Sequence, residues 1–367
     1  MNILHISRHY WPVLGGAELV IHDFTAGLNK FGCNCKILCI NRNTINNDNV
    51  FFPEYEKIDN IDVYRVAAYG SYKKPFLSPF EYLKVIKLLK WADIVHVHDI
   101  RFLLETVCFF KLIFKYKLFL NSNGFLFHTD DFNYIKKNLF DKYYPKIFNI
   151  FFNKILAISE RDFNLINFVN EPKKVLFESA INISKYFNIE KKVIRNNFIY
   201  FGRIDKNKGL ENLFINLKML DQKWILNIVG TGEERYINNL KKMTNELKIS
   251  KNINWLGKLQ ENELFEEIAK THIAFFPSLE EGFGITFLES ISTGTITIGN
   301  NIPTFQKISK DVNCGIIVDF ANTEKTLNVI KEIIKNTNDD SIYISKENFV
   351  KYDINEKIKL LIDLYKN

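Results

Sequence analysis

The sequence predicts an α/β protein made of two doubly wound, Rossmann-like domains. The first observation is that short apolar runs alternate with amphipathic stretches almost from end to end of the 367 residues. That is the pattern of parallel strands with helices on both faces. The second is length, since a chain this long exceeds what one hydrophobic core usually organises and suits two domains of roughly 180 residues. The third is composition. At 47% hydrophobic, with no low-complexity tract and no fixed-period repeat, the chain is expected to be globular throughout.

In the first half, strands are expected at NILHIS, CKILCIN, IDVYRVA, DIVHVHD, KLFLNSN and KILAIS. Helical patterns such as GAELVIHDFTAGLNKF and FEYLKVIKLLKWA lie between them. The second half repeats the theme with FIYFG, ILNIVG, INWLG, IAFFP, TITIG and GIIVD. The join falls in SAINISKYFNIEKKVIRNN, which gives a first domain over 1–185 and a second over 186–350. A last helical segment covers 351–367.

The net charge of +7 is unevenly placed. Residues 1–185 hold 24 Lys and Arg against 18 Asp and Glu, whereas residues 186–367 hold 25 against 24. A basic first half suits an anionic partner, a membrane surface or a phosphorylated ligand. No recognition motif accompanies it, so no nucleic acid is expected. The opening MNILHISRHYWP lacks a charged leader followed by a long apolar segment, and no run approaches the roughly 18 apolar residues of a spanning helix. The five cysteines, three of them in CNCKILC, lack zinc spacing and are expected to be small buried hydrophobes in a reducing cytosol. The expected location is therefore cytoplasmic.

In doubly wound sheets ligands bind outside the carboxyl ends of the strands, so the loops after strands deserve scrutiny. After the first strand, SRHYWPVLGGAELV sets Gly15 and Gly16 before an amphipathic helix, where backbone N–H groups can meet an anion. In FIYFGRIDKNKGLENL, Arg203 and Lys208 flank a short loop, and their converging charges would neutralise a diphosphate. VGTG places Gly230 between strand and helix, without the full dinucleotide spacing or the Lys-Ser/Thr pair of a P-loop. In INWLGKL, the backbone at Gly257, Lys258 and Leu259 offers hydrogen bonds for a nucleobase edge.

The stretch HIAFFPSLEEGFGITFLESISTG is the most informative. HIAFF is a strand, EEGFG a loop and ITFLESIS a short helix. Phe283, Gly284 and Ile285 offer N–H groups at the helix start, ready for phosphate oxygens. Glu289, one to two turns in, can grip a vicinal diol such as a ribose. Glu281, ahead of the helix, can hold hydroxyls of whatever the phosphate carries.

Together these motifs resemble glycosyltransferase family 4, of GT-B architecture. The family's E-x7-E signature matches Glu281 to Glu289, and its G-R-x(4–5)-K-G loop matches GRIDKNKG from Gly202 to Gly209. PVLGGAE from Pro12 to Glu18, VGTG, WLGKL and the terminal VKYDINEKIKLLIDLY also match, in family order over nearly the whole chain. The resemblance implies two Rossmann-like domains facing a cleft, with the acceptor on the first and a nucleoside-diphosphate sugar on the second. It implies a last helix that crosses back to the first domain. Arg203 and Lys208 would bind the donor diphosphate, Glu289 the ribose and Glu281 the sugar. No D-x-D occurs, so neither a metal nor another cofactor is expected, and the nucleotide sugar is a substrate. One departure concerns NSNGFLFHTD: the family's first histidine position is Asn123, and the second is His128. Asn123 can hydrogen-bond a sugar hydroxyl but cannot take a proton. His128 and Asn123 join Glu281 as candidate catalytic residues.

The activity implied is transfer of a hexose-type sugar, with retained anomeric configuration, to a saccharide or lipid-linked saccharide acceptor. The wording around EGFGI, F-H-T and IPTF (Ile302 to Phe305) resembles mannosyl-transferring members and favours GDP-mannose. Residues 102–120 mix aromatics with Lys111, Lys115 and Lys117 and suit the anionic inner face of a cell membrane. Two rivals stand beside this reading. A sugar-nucleotide 2-epimerase would act on the donor alone, and a non-catalytic subunit would bind it without turnover.

Overall fold

The structure, a computed structural model, describes residues 1–13, 16–42, 50–71, 74–122, 134–336 and 344–367. It divides into two units, Met1–Ala180 with Ile354–Asn367, and Ile181–Asp353.

Unit 1 contains β1 (Asn2–Ile6), α1 (Gly16–Lys30), β2 (Asn34–Ile40), β3 (Tyr55–Ile58), β4 (Ile61–Val66), β5 (Ala68–Ser71), β6 (Lys74–Leu77) and α2 (Pro79–Trp91). It continues with β7 (Ile94–Val97), α3 (Leu104–Lys111), β8 (Lys117–Asn121), α4 (Tyr134–Phe151), β9 (Lys154–Ala157), α5 (Glu160–Leu165) and β10 (Lys174–Leu176). Its main sheet has the order β10-β9-β8-β7-β1-β2-β4-β3. All neighbours pair in parallel except β3 with β4, which turn about Asp59 and Asn60, both at positive φ as a two-residue hairpin requires. β5 and β6 form a separate antiparallel hairpin.

The central strands are buried along their length because helices cover both faces of the sheet. Leu4, Ile6, Val95, Val97, Leu118 and Leu120 point to the side covered by α2, α3 and α4. The alternate residues Ile3, Ile94 and Phe119 point to the side covered by α1 and α13 (Ile354–Lys366). Those two helices touch so closely that a Cβ on Gly27 would lie 2.0 Å from Ile358 Cδ1.

Unit 2 contains α6 (Ile183–Phe187), β11 (Asn197–Phe201), α7 (Leu210–Lys218), β12 (Ile225–Val229), α8 (Glu234–Glu246), β13 (Ile253–Gly257) and α9 (Glu261–Lys270). Then follow β14 (Ile273–Phe276), α10 (Ile285–Ser292), β15 (Ile296–Asn300), α11 (Pro303–Val312), β16 (Ile316–Val318) and α12 (Thr323–Lys335). The six strands form one parallel sheet, β13-β12-β11-β14-β15-β16. One face packs on α7, α8 and α12, and the other on α6, α10 and α11.

Each of the twelve expected strands is present. The sequence did not signal β3, β5, β6 or β10. Of the lysines in 102–120, Lys111 is half-buried and donates to Phe151 O and Asn153 Oδ1. Lys117 donates to the carbonyls of Tyr365 and Lys366. These two tie the fold together, and Lys115 remains on the surface. No helix among the described residues is long and apolar enough to cross a membrane.

Candidate functional site

In unit 2 the chain builds outward in opposite directions from β11 and β14, which makes the gap between their carboxyl ends the topological switch point. The loops leaving these two strands are fastened together. The loop after β11 carries Asp205, whose side chain accepts from Asn207 N at 3.0 Å and starts a single turn of 3-10 helix, Lys206–Lys208. Gly209 ends that turn at φ 63° and opens α7. Leu279 N, from the loop after β14, donates to Asn207 O at 2.7 Å. A Cβ on Gly209 would lie 2.3 Å from Pro277 O, so the approach of the two backbones needs glycine.

Across this seam Lys208 Nζ donates to Glu281 Oε1 at 2.6 Å, with the two side chains only 15% and 13% exposed. Ser278 Oγ donates to the same oxygen at 2.8 Å, and Thr304 Oγ1 donates to the Glu281 backbone carbonyl at 3.0 Å. An ammonium and a hydroxyl thus meet one oxygen of a carboxylate that is shielded from most water. Beneath it, Tyr200 donates its phenol to Arg203 O at 2.6 Å. Burial, reinforced by the charge of Glu281, pushes that phenol well above its ordinary range, so it stays a donor.

Arg203 does not join the buried pair. Its side chain is 76% exposed and its Nε meets Asp205 Oδ2 at 2.7 Å. An exposed pair of this kind costs little to break. Gly230 follows β12 at φ 143°, where a Cβ would lie 1.8 Å from Gly202 O, and its N–H donates to Gly257 O at 2.7 Å. Gly257 has φ 67° with open space around it, Lys258 is exposed, and Leu259 is half-buried. Gly284 opens α10 at φ 81°, where a Cβ would press on the Phe305 ring at 2.8 Å. Phe283 is buried beside it, and Ile285 is the first helical residue. The first turn of α10 carries no carboxylate, so its free N–H groups keep their full positive end. Glu289 Oε1 accepts from Tyr186 OH at 2.6 Å, which ties α10 to α6.

Unit 1 has its own switch point, between β1 and β7. His5 and His96 are register partners there, and His98 lies one residue beyond β7. The bonds form one directional chain. Tyr365 OH donates to His96 Nδ1 at 2.5 Å, and His96 Nε2–H donates to Asn121 Oδ1 at 3.2 Å. Asn121 Nδ2 donates to His98 Nδ1 at 3.2 Å, and His98 Nε2–H donates to His5 Nδ1 at 2.9 Å. The proton of His5 is thereby left on Nε2, a buried donor without a partner among the described residues. Burial holds all three rings neutral, His96 at about 3. Gly16 is the first residue of α1, whereas Gly15, Asn123 and His128 lie outside the described residues.

Residues 183–353 match the family model described as "Glycosyl transferases group 1". Over 345 residues, 93% of this chain and 89% of the relative, the sequence is 23% identical to a GDP-mannose:cellobiosyl-diphosphopolyprenol alpha-mannosyltransferase of Xanthomonas oryzae pv. oryzae. It is 27% identical to the O-antigen biosynthesis glycosyltransferase WclY of Escherichia coli, over 68% of this chain and 71% of that one. The matches support a group 1 glycosyltransferase. Among solved structures, Anabaena Alr3699/HepE in complex with UDP and glucose aligns with a TM-score of 0.76 at 15% identity, over 100% of this chain and 99% of that one. The fold is GT-B.

Within residues 183–353, the sequence reading missed Tyr186, Ser278 and Thr304, the partners of Glu289 and Glu281. Ser278 was within reach, three residues before a carboxylate in a loop. Tyr186 and Thr304 lie 103 and 23 residues from their partners, so no local pattern reveals them. In unit 1, His96 and His98 read as a strand end with both rings on one sheet face, whereas Arg8, His9 and Asp99 were passed over. Arg8, nearly buried, meets Asp99 at 3.3 Å, and buried His9 has its pKa lowered to about 4, first by burial and then by Arg8.

Proposed function

We propose that the protein is a retaining glycosyltransferase that moves a hexose-type sugar from a nucleoside-diphosphate donor to a saccharide or lipid-linked saccharide acceptor in cell-surface polysaccharide synthesis. The observation that carries the reading is the Lys208–Glu281 pair, held nearly out of water on two fastened loops at the switch point of unit 2. A cation and an anion fixed side by side suit a ligand that is itself part anion and part polyol. Lys208 takes the diphosphate, aided by the N-terminus of α10 and by Arg203, whose exposed side chain is free to turn inward from Asp205. Glu281 takes hydroxyls of the sugar. Glu289, aimed by Tyr186, takes the ribose diol. The backbone at Gly257, Lys258 and Leu259 meets the nucleobase edge.

The departing diphosphate gains charge as the glycosidic bond breaks. Cations and dipoles already in position stabilise that charge without reorganising, so no divalent ion is needed. Glu281 and Glu289 act as donor grips, unlike the acid and nucleophile of a retaining glycosidase, which lie about 5 Å apart. Retention follows from same-face substitution, with a leaving-group phosphate oxygen accepting the acceptor's proton. Asn123 or His128 contributes a hydrogen bond beside the transferred sugar. The activity named for the Xanthomonas relative supports GDP-mannose and a diphosphopolyprenol-linked acceptor. On this reading the protein works in the cytoplasm at the inner face of the membrane.

The test is incubation with labelled GDP-mannose, UDP-glucose and UDP-galactose, with and without a membrane glycolipid extract. Transfer of label to lipid from one donor, undiminished by EDTA, is expected. Epimerised donor without acceptor would instead identify an epimerase. Donor-dependent thermal stabilisation without turnover would identify a binding subunit.

A further inference from the structure

We propose that Arg8, His9 and Arg101, at the carboxyl edge of the main sheet of unit 1, form a subsite for the diphosphate of a prenyl-linked acceptor. The proposal rests on the glycosyltransferase reading, which supplies such an acceptor. It assigns residues that the donor site does not use.

The residues stand where a doubly wound sheet takes its ligands, at the switch point between β1 and β7. Arg8 and His9 follow β1, and Asp99 and Arg101 follow β7. Both loops leave on backbone that is already paired. Ser7 N donates to Leu38 O and Ile40 N to Arg8 O, each at 3.1 Å. His98 N donates to Ile6 O at 2.8 Å. The subsite is therefore set by strand pairing before a ligand arrives, which lowers the ordering cost of binding.

Two guanidinium groups meet one carboxylate here. Arg8 Nε lies 3.3 Å from Asp99 Oδ2. Arg101 donates to the same carboxylate from Nε at 2.9 Å, from Nη2 at 3.0 Å and from its backbone N at 2.9 Å. Arg101 thus matches Asp99 from within one loop, so a second arginine is more than that ion pair requires. The Arg8 and Asp99 side chains are 4% and 12% exposed, and that of Arg101 is 33% exposed. Buried His9 reports the local balance of charge. Burial is the largest cause of its low pKa, and of the charges around it Arg8 and Arg101 lower it while Asp99 raises it. Two cations against one anion, shielded from most water, attract an anion more strongly than an exposed patch would.

The donor groups select a phosphate ester. A guanidinium is a planar fork that matches phosphate oxygens in pairs, and a neutral imidazole adds an N–H donor without a further charge. On the proposed function the donor's diphosphate has its own cations, Lys208 and Arg203, in unit 2. The anion that remains for unit 1 is the diphosphate of the acceptor.

The experiment is calorimetric titration of the full chain with geranyl diphosphate, inorganic pyrophosphate and geraniol, each with saturating GDP or UDP present. Geranyl diphosphate is expected to bind at least as tightly as pyrophosphate, and about tenfold or more tighter than geraniol. Arg101→Gln, at a partly exposed side chain, is expected to weaken it about tenfold or more and to leave thermal stabilisation by nucleotide unchanged. Arg8→Lys, which keeps the charge, should lose less than Arg8→Gln. Lys208→Ala should do the reverse of Arg101→Gln, losing nucleotide and keeping geranyl diphosphate. A failed donor reading would thus show as absent nucleotide binding, and a failed subsite as unaltered geranyl diphosphate binding in Arg101→Gln and Arg8→Gln. That second result would overturn the proposal. Tighter binding of pyrophosphate than of geranyl diphosphate would mark a site for free phosphate and overturn it too. So would loss of geranyl diphosphate binding once nucleotide is saturating, because the two arginines would then belong to the donor.

Discussion

Lys208 and Glu281 act as one unit, because each is the other's partner in a place that water hardly reaches. Removing one leaves the other facing a lost partner as well as a lost ligand. Glu281→Gln and Lys208→Ala are each expected to lower turnover at least tenfold while circular dichroism shows a folded chain. Near-normal turnover in both would remove the pair from the site. Tyr186 differs, since its hydroxyl bonds Glu289 and, on the proposed function, would act on the donor only through that carboxylate. A hydrogen bond to a charged group contributes about 1.5–3 kcal/mol. Tyr186→Phe should therefore raise the donor KM about tenfold or more and change kcat less, a split that steady-state kinetics over a donor series reads directly. A change in kcat alone would mean that the tyrosine serves the fold and not the donor grip.

Two glycines at the ends of neighbouring strands show how the site's backbone is built. At Gly230 a methyl group would strike the Gly202 carbonyl, whereas at Gly257 it would meet open space, although both have positive φ. Gly257→Ala should cost about 1–2 kcal/mol, the penalty of the left-handed region alone. Gly230→Ala must also push two strands apart and should cost about 3 kcal/mol or more. Urea unfolding of the two variants gives the comparison, and equal costs would show that the strand ends do not touch. The same distinction explains what the sequence made legible. β14, IAFF, is a run of buried apolar residues, and EEGFGITFLES announces a loop and a helix start within eleven residues. β3, YEKI, is a half-exposed edge strand, and β10 has three residues, so neither leaves an apolar signature. HVHD reads as a strand end, but the link from His98 to His5 depends on the pairing of β7 with β1, across 93 residues. The loops and helix starts of the candidate site were therefore readable, and the side chains bonded to its carboxylates were not.

At the scale of the whole molecule, the buried histidines set how stability depends on pH. His96 is lowered to about 3 and His9 to about 4 from an ordinary 6.5, with burial the largest cause in each. For His9, Arg8 adds to the depression and Asp99 opposes it. His5 and His98 shift in the same direction. Between about pH 6.5 and 4 the unfolded chain binds protons that the folded chain refuses, so stability is whole above 6.5 and drains as the pH falls. Each such histidine removes up to about 1.4 kcal/mol per pH unit. The urea midpoint should drop steeply from pH 7 to 5, and a flat profile there would contradict a neutral network. Tyr365, at one end of that network, sits on α13, whose residues belong with Met1–Ala180 although Ile181–Asp353 separates them along the chain. Topologically, then, the second unit is an insertion within the first. A ribosome delivers the first unit's β-sheet early, yet that unit cannot close its core over Phe24, Leu28 and Phe177 until residues 354–365 have been made. The inserted unit, Ile181–Asp353, is the part that can finish first during synthesis.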